Sequence, residues 1–108
     1  MLIKSSELTQ NEKLIIIRRR LKLTQAEMAA EHKISLYEYR RWESGETENP
    51  ISFSIELLSD FESCFIMRRR SGMTVSEIAT KIDVCRFWFG QMERGEAPSD
   101  RLVEYWAA

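Results

Sequence analysis

Histidine occurs once in this chain, at His32, and glycine and proline are scarce, with four and two residues among 108. A single imidazole removes most Ser-His-Asp arrangements and most histidine-based metal sites. No glycine-rich phosphate loop and no paired carboxylates of an identifiable cleft are visible, so the sequence predicts a protein that is not an enzyme and takes no cofactor. Cys64 and Cys85 stand far apart with no zinc-ligand spacing, and read as reduced, buried thiols. The longest uninterrupted apolar run, Leu14 to Ile17, is far too short for a membrane span. No signal-peptide pattern is present either, and the expectation is a cytoplasmic protein with no membrane contact. Few turn-forming residues, and no Val/Ile/Thr-rich alternating run, predict an all-α chain.

A strong charge of one sign is also missing. The formal net charge is −1. A purely electrostatic nucleic-acid binder would be basic overall, so any such contact must come from a local basic face. Residues 1–54 hold nine Lys/Arg against eight Asp/Glu, and residues 55–108 hold seven against nine. The first half is the better candidate for phosphate contacts.

What is present is a repeat. A shift of fifty residues brings Arg18-Arg19-Arg20 onto Arg68-Arg69-Arg70, Thr24 onto Thr74, Glu27 onto Glu77 and Ala29 onto Ala79. Ile34 falls on Val84, Tyr39 on Phe89, and Glu43, Gly45 and Glu46 on Glu93, Gly95 and Glu96. A gapless series with matching apolar spacing points to duplication of one structural unit. The expected division is 1–60 and 61–108, with no linker between the two.

Each unit reads as helices with short breaks. Asn11 to about Leu21 is amphipathic, with Leu14, Ile17 and Leu21 on one stripe. Thr24 and Glu27 form a capping box for a helix ending near Glu31, with Met28 and Ala29 inward. Ser35 caps a third helix that turns Tyr39 and Trp42 inward and stops at Gly45. Asn49-Pro50 is expected to open a fourth helix through Ile55, Leu58 and Phe61, running into the second unit. There the helices are expected near 62–71, 75–82, 86–94 and 99–106.

The series Thr24-Gln25-Ala26-Glu27-Met28-Ala29, Ile34-Ser35, Tyr39 and Trp42-Glu43-Ser44-Gly45 resembles the Cro/phage-repressor (XRE-type) family. The resemblance covers about residues 11–61 and, more weakly, 61–106. It implies a tandem pair of lambda-repressor-like helix-turn-helix modules, each with a recognition helix suited to the major groove. It also implies structural ion pairs, Arg18 with Glu43 and Arg68 with Glu93, and places Gln25 at a phosphate-contacting position. The function implied is a sequence-specific transcriptional regulator: a repressor of phage or mobile-element type, homodimeric on an inverted-repeat operator in double-stranded DNA.

The helix faces supply the expected contact residues. With Tyr39 and Trp42 inward, Tyr37, Arg40 and Arg41 point outward, with Leu36 beside them. Two arginines can read guanine edges or hold phosphates, and Leu36 and Tyr37 suit a thymine methyl. Lys33 in the turn and Ser35 at the helix start complete the first set. The second copy would present Arg86, Phe87, Gly90 and Gln91, with Trp88 on the flank. Arg86 and Gln91 are candidate DNA contacts, and the duplication allows a second DNA reading in which one chain reads two half-sites with its two modules. Phe87 and Trp88 expose more aromatic surface than base reading needs, which favours a protein interface. The alternative function is therefore a protein-interaction module, an antitoxin or a phage adaptor or inhibitor, gripping a partner through the second copy.

Overall fold

The computed structural model describes residues 2–108. Among them are seven α-helices and one 3-10 turn, and no strand. The helices are α1 (Gln10–Arg20), α2 (Gln25–Glu31), α3 (Leu36–Ser44), α4 (Asp60–Ser71), α5 (Val75–Lys81), α6 (Arg86–Glu93) and α7 (Asp100–Ala107), after a 3-10 turn at Ser5–Glu7. No helix among the described residues is long and apolar enough to cross a membrane. The chain divides into two units. One is Leu8–Glu56; the other takes Leu57–Ala108 together with the amino-terminal segment up to Glu7.

In the first unit, α1 begins at a capping box. The Thr9 side chain accepts from the Glu12 amide, and the Glu12 carboxylate accepts from the Thr9 amide. Thr24 and Glu27 repeat the arrangement at α2. Each box satisfies two amides that a helix start leaves without partners. Bonds from the Thr24 amide and from its hydroxyl hold the exposed Glu27 carboxyl below its ordinary range. Ser35 accepts from the Glu38 amide and starts α3, which ends at Gly45 with φ +84°. Leu14 of α1, Met28 and Ala29 of α2, and Tyr39 and Trp42 of α3 form one buried cluster. Burying a large apolar side chain of this kind is worth about 1.5–3 kcal/mol.

Two expectations fail here. Leu21 does not share the buried stripe: it is 57% exposed, while Ile15 and Ile16 are buried with Leu14. Leu21 lies past the last turn of α1, where the chain reverses through Lys22 at φ 58°. Nor does a helix start at Asn49-Pro50; residues 49–58 form no helix, and the next one begins at Asp60. The stretch Ile51-Ser52-Phe53-Ser54-Ile55 alternates between covered apolar and exposed serine positions. That is the period of extended chain, and serine and isoleucine bring only middling helix propensity against it. Ile51 and Phe53 pack against the Leu14 cluster, so this segment closes the unit without a fourth helix.

The second unit follows the first at the fifty-residue offset. Ser59 and Glu62 form the capping box of α4, and Thr74 and Glu77 that of α5. Cys85 takes the place of Ser35: its sulfur accepts from the Trp88 amide at 3.4 Å. Even the left-handed residues pair, Lys22 with Gly72, Lys33 with Asp83 and Gly45 with Gly95. Cys64, Ile78, Ala79, Phe89, Met92 and Leu102 form the core. Here α7 packs against α4. The amino-terminal segment also belongs to this unit. The Ile3 amide donates to Ser63 Oγ at 3.1 Å, Arg70 donates to the Glu7 carbonyl at 2.9 Å, and Leu2 lies against the core.

Candidate nucleic-acid interface

Helix α3 is held in place by one buried carboxylate. Glu43 Oε2 accepts from Arg18 Nε at 2.6 Å and from the Tyr39 hydroxyl at 2.5 Å. Glu43 Oε1 accepts from Arg18 Nη2 at 3.2 Å and from Gln25 Nε2 at 2.9 Å. Arg18 Nη1 also donates to the Leu23 carbonyl. The network ties α1, α2 and α3 together through groups on each. Burial pushes the Glu43 carboxyl up, but the bonds from Arg18, Tyr39 and Gln25 outweigh it and hold the group below the ordinary carboxylate range. Burial and the adjoining carboxylate together raise the Tyr39 phenol, which stays a donor.

In the second unit Arg68 reaches Glu93 by the same two bonds, at 2.7 and 3.1 Å. Phe89 and Val75 stand where Tyr39 and Gln25 stand, and neither side chain can donate. The ion pairs implied by the resemblance are thus present in both units, while the donors around them differ.

Gln25 is turned inward. Besides its bond to Glu43, its Oε1 accepts from Arg40 Nε at 3.4 Å. In this structure it links the buried carboxylate to an exposed arginine. Ser35 spends its hydroxyl on the α3 cap. Lys33 is exposed, in a left-handed turn between α2 and α3. That turn is backed by His32, whose ring lies 6.1 Å from the Trp42 ring.

The outer face of α3 carries Tyr37, 70% exposed, and exposed Arg40, with Leu36 partly covered. Arg41 is less open than its helix position suggests. Its guanidinium lies 3.6 Å from Glu38 and 3.6 Å from Glu46, and 5.6 Å from the centre of the Tyr37 ring. The two carboxylates are the part of this face that sequence reasoning passed over. Glu38 lies three residues before Arg41, so helical spacing could have found it.

On α6, Arg86 and Phe87 are exposed, Phe87 by 72% and Trp88 by 42%. Gln91 is half-buried. Cys85, expected to be buried, is exposed at the head of this helix, while Cys64 is fully buried; both are free thiols. Among the described residues no group of His, Cys, Asp and Glu could hold a metal ion.

The chain matches no family model, no curated protein and no solved structure.

Proposed function

We propose that this protein is a sequence-specific DNA-binding transcriptional regulator built from two tandem helix-turn-helix modules, and that the first module reads its operator through α3. One observation carries the reading. α2 and α3, joined by a tight turn, bury Met28, Ala29, Tyr39 and Trp42 on one side and leave Tyr37 and Arg40 uncovered on the other. A short helix that is anchored from behind and bears arginine and an aromatic in front suits the major groove. In this reading Arg40 and Arg41 contact guanine edges or phosphates, Leu36 and Tyr37 meet thymine methyls, and Lys33 holds a phosphate. Gln25 acts from behind, positioning Arg40. The protein acts as a repressor by occluding a promoter, as a homodimer on half-sites about one helical turn (~34 Å) apart.

The test is selection of bound sequences from a random duplex pool, with the full chain and with Arg40→Ala/Arg41→Ala. The expected result is a motif whose α3-read part the variant loses. No enrichment by the unaltered protein, even at about 50 mM salt where phosphate contacts are strongest, would end the DNA reading.

A second reading is favoured by the exposure of Phe87 and Trp88: a protein-interaction module of antitoxin or phage-adaptor type. It expects a stoichiometric partner whose binding Phe87→Ala/Trp88→Ala abolishes. Unchanged partner binding and oligomeric state in that double variant would remove it.

A further inference from the structure

The first unit places a cation in the turn before α3, Lys33, and one in the middle of its outer face, Arg40. The repeat lacks both: fifty residues on stand Asp83 and Gly90. The second unit nevertheless puts a guanidinium at each place, drawn from elsewhere in the chain. Arg94 folds back along α6 over Gly90. A Cβ at residue 90 would lie 3.1 Å from Arg94 Nη1 and 3.8 Å from its Cζ and Nη2. Glycine here makes room for a guanidinium on the helix surface, at the position Arg40 occupies on α3. Arg94 is held by Glu96, Nε to Oε1 at 3.0 Å, and remains about half exposed. Arg101, from α7, donates to the carbonyls of Ile82 and Asp83 at 3.1 and 3.3 Å. Those residues form the turn between α5 and α6, so the negative charge that Asp83 brings is offset by a neighbouring helix that the first unit does not have. The aromatic beside them is equally open in both units, Tyr37 at 70% and Phe87 at 72%.

We infer that the second unit carries a DNA-contacting face of its own, formed by Arg86, Phe87, Arg94 and Arg101, so that each chain engages duplex DNA twice. The inference rests on the DNA reading above and extends it to residues that the repeat alignment does not pair with Lys33 or Arg40. Guanidinium groups beside an exposed Phe87 ring, rebuilt in space where the repeat positions no longer supply them and partly offset by Glu96 and Asp83, fit a polyanion with stackable or methyl-bearing bases. Trp88 lies at its edge.

The test uses the full chain and random-pool selection on duplex DNA, followed by titration of the selected site over a range of salt. The unaltered protein is expected to select an inverted repeat in which each half-site holds two recognised blocks, one for each unit of a chain. Arg94→Ala/Arg101→Ala is expected to retain only the α3 block of each half-site, to weaken binding about tenfold, and to make the salt slope shallower by about one for each phosphate no longer neutralised. Arg40→Ala/Arg41→Ala is expected to retain the other block. Gly90→Arg in an Arg94→Ala background rebuilds the arrangement of α3 and is expected to recover the block; rescue from a different residue at the same place would not follow from a merely structural role. The inference is overturned if Arg94→Ala/Arg101→Ala keeps the site, the affinity and the salt slope of the parent. It is overturned equally if these substitutions change only capture of a protein partner. If the unaltered chain selects nothing, the DNA reading itself fails, which is a separate outcome.

Discussion

Glu43 concentrates the polar interactions of the first unit. It is 4% exposed and accepts from three side chains on three helices. Hydrogen bonds to charged groups are worth about 1.5–3 kcal/mol each when one partner is removed. Tyr39→Phe, which installs the residue found at the matching place in the second unit, is therefore expected to cost about 2 kcal/mol in urea unfolding. The same network has a pH signature. A carboxyl held below its ordinary value near 4.5 stabilises the fold fully above that value. The contribution fades as pH falls below it, through the folded value, because the unfolded chain binds the proton first. Acid unfolding of Tyr39→Phe should accordingly begin at higher pH than that of the parent, a shift readable by circular dichroism. Glycines offer a second contrast. Gly72 and Gly95 have φ of 74° and 79°, but a Cβ on Gly72 meets open space while one on Gly95 lies 2.6 Å from the Phe61 ring. Gly72→Ala should cost about 1 kcal/mol from backbone conformation alone. Gly95→Ala should cost clearly more, since the ring must also move. Equal losses of Tm in the two would contradict the geometry.

Helix starts show how one position can be filled with unequal quality. Ser35 caps α3 with an oxygen 3.1 Å from the Glu38 amide, and Cys85 caps α6 with a sulfur 3.4 Å from the Trp88 amide. Sulfur is a weak acceptor. Ser35→Ala is expected to destabilise by about 1 kcal/mol, and Cys85→Ala by less. Cys85→Ser should raise Tm rather than lower it. The two thiols also separate by element. Cys85 stands exposed ahead of α6, whereas Cys64 is fully buried in α4. Burial, with Asp60 and Glu93 nearby, pushes the Cys64 thiol up to about 12. A thiol reagent at neutral pH is expected to modify one cysteine quickly and the second only at the rate of unfolding; Cys85→Ser should abolish the fast phase alone.

For the molecule as a whole, charge sets the character of the proposed DNA contact. A chain of net charge −1 has no general attraction for a polyanion. The outer face of α3 pairs Arg41 with two carboxylates, so part of its positive charge is already answered within the protein. Lys33, Arg40 and Arg41 are the cations on the first face, which gives a salt slope no steeper than about −3 for that unit alone. A slope much steeper than the cations of both faces allow would mean that phosphates are held elsewhere. Glu38→Gln should raise affinity for random duplex and for the selected site by similar factors, because it removes repulsion that every phosphate feels alike.

The helices were legible in the sequence wherever their signals lie within a turn or two of chain. Thr24 with Glu27, Ser35 ahead of α3 and Gly45 behind it all act between near neighbours, so they hold whatever else the fold does. The Thr9-Glu12 and Ser59-Glu62 boxes are equally local and were open to the same reading. Residues 49–58 were not legible as a helix or its absence from a proline and apolar spacing alone. Ile51 and Phe53 had competing places to go, and the Leu14 cluster offered a better one in extended chain. The same holds for side chains on the candidate interface. Gln25 could face solvent or a buried carboxylate, and Glu43, eighteen residues away, decided it. Arg94 and Arg101 took up positions that their own places in the repeat do not suggest, because Gly90 left room for one and α7 carried the other to the turn before α6. Local chemistry therefore determined which segments are helical and where they stop. Packing between distant segments decided which polar groups remain outside, since a long side chain takes its position from whatever surrounds it rather than from its neighbours in sequence.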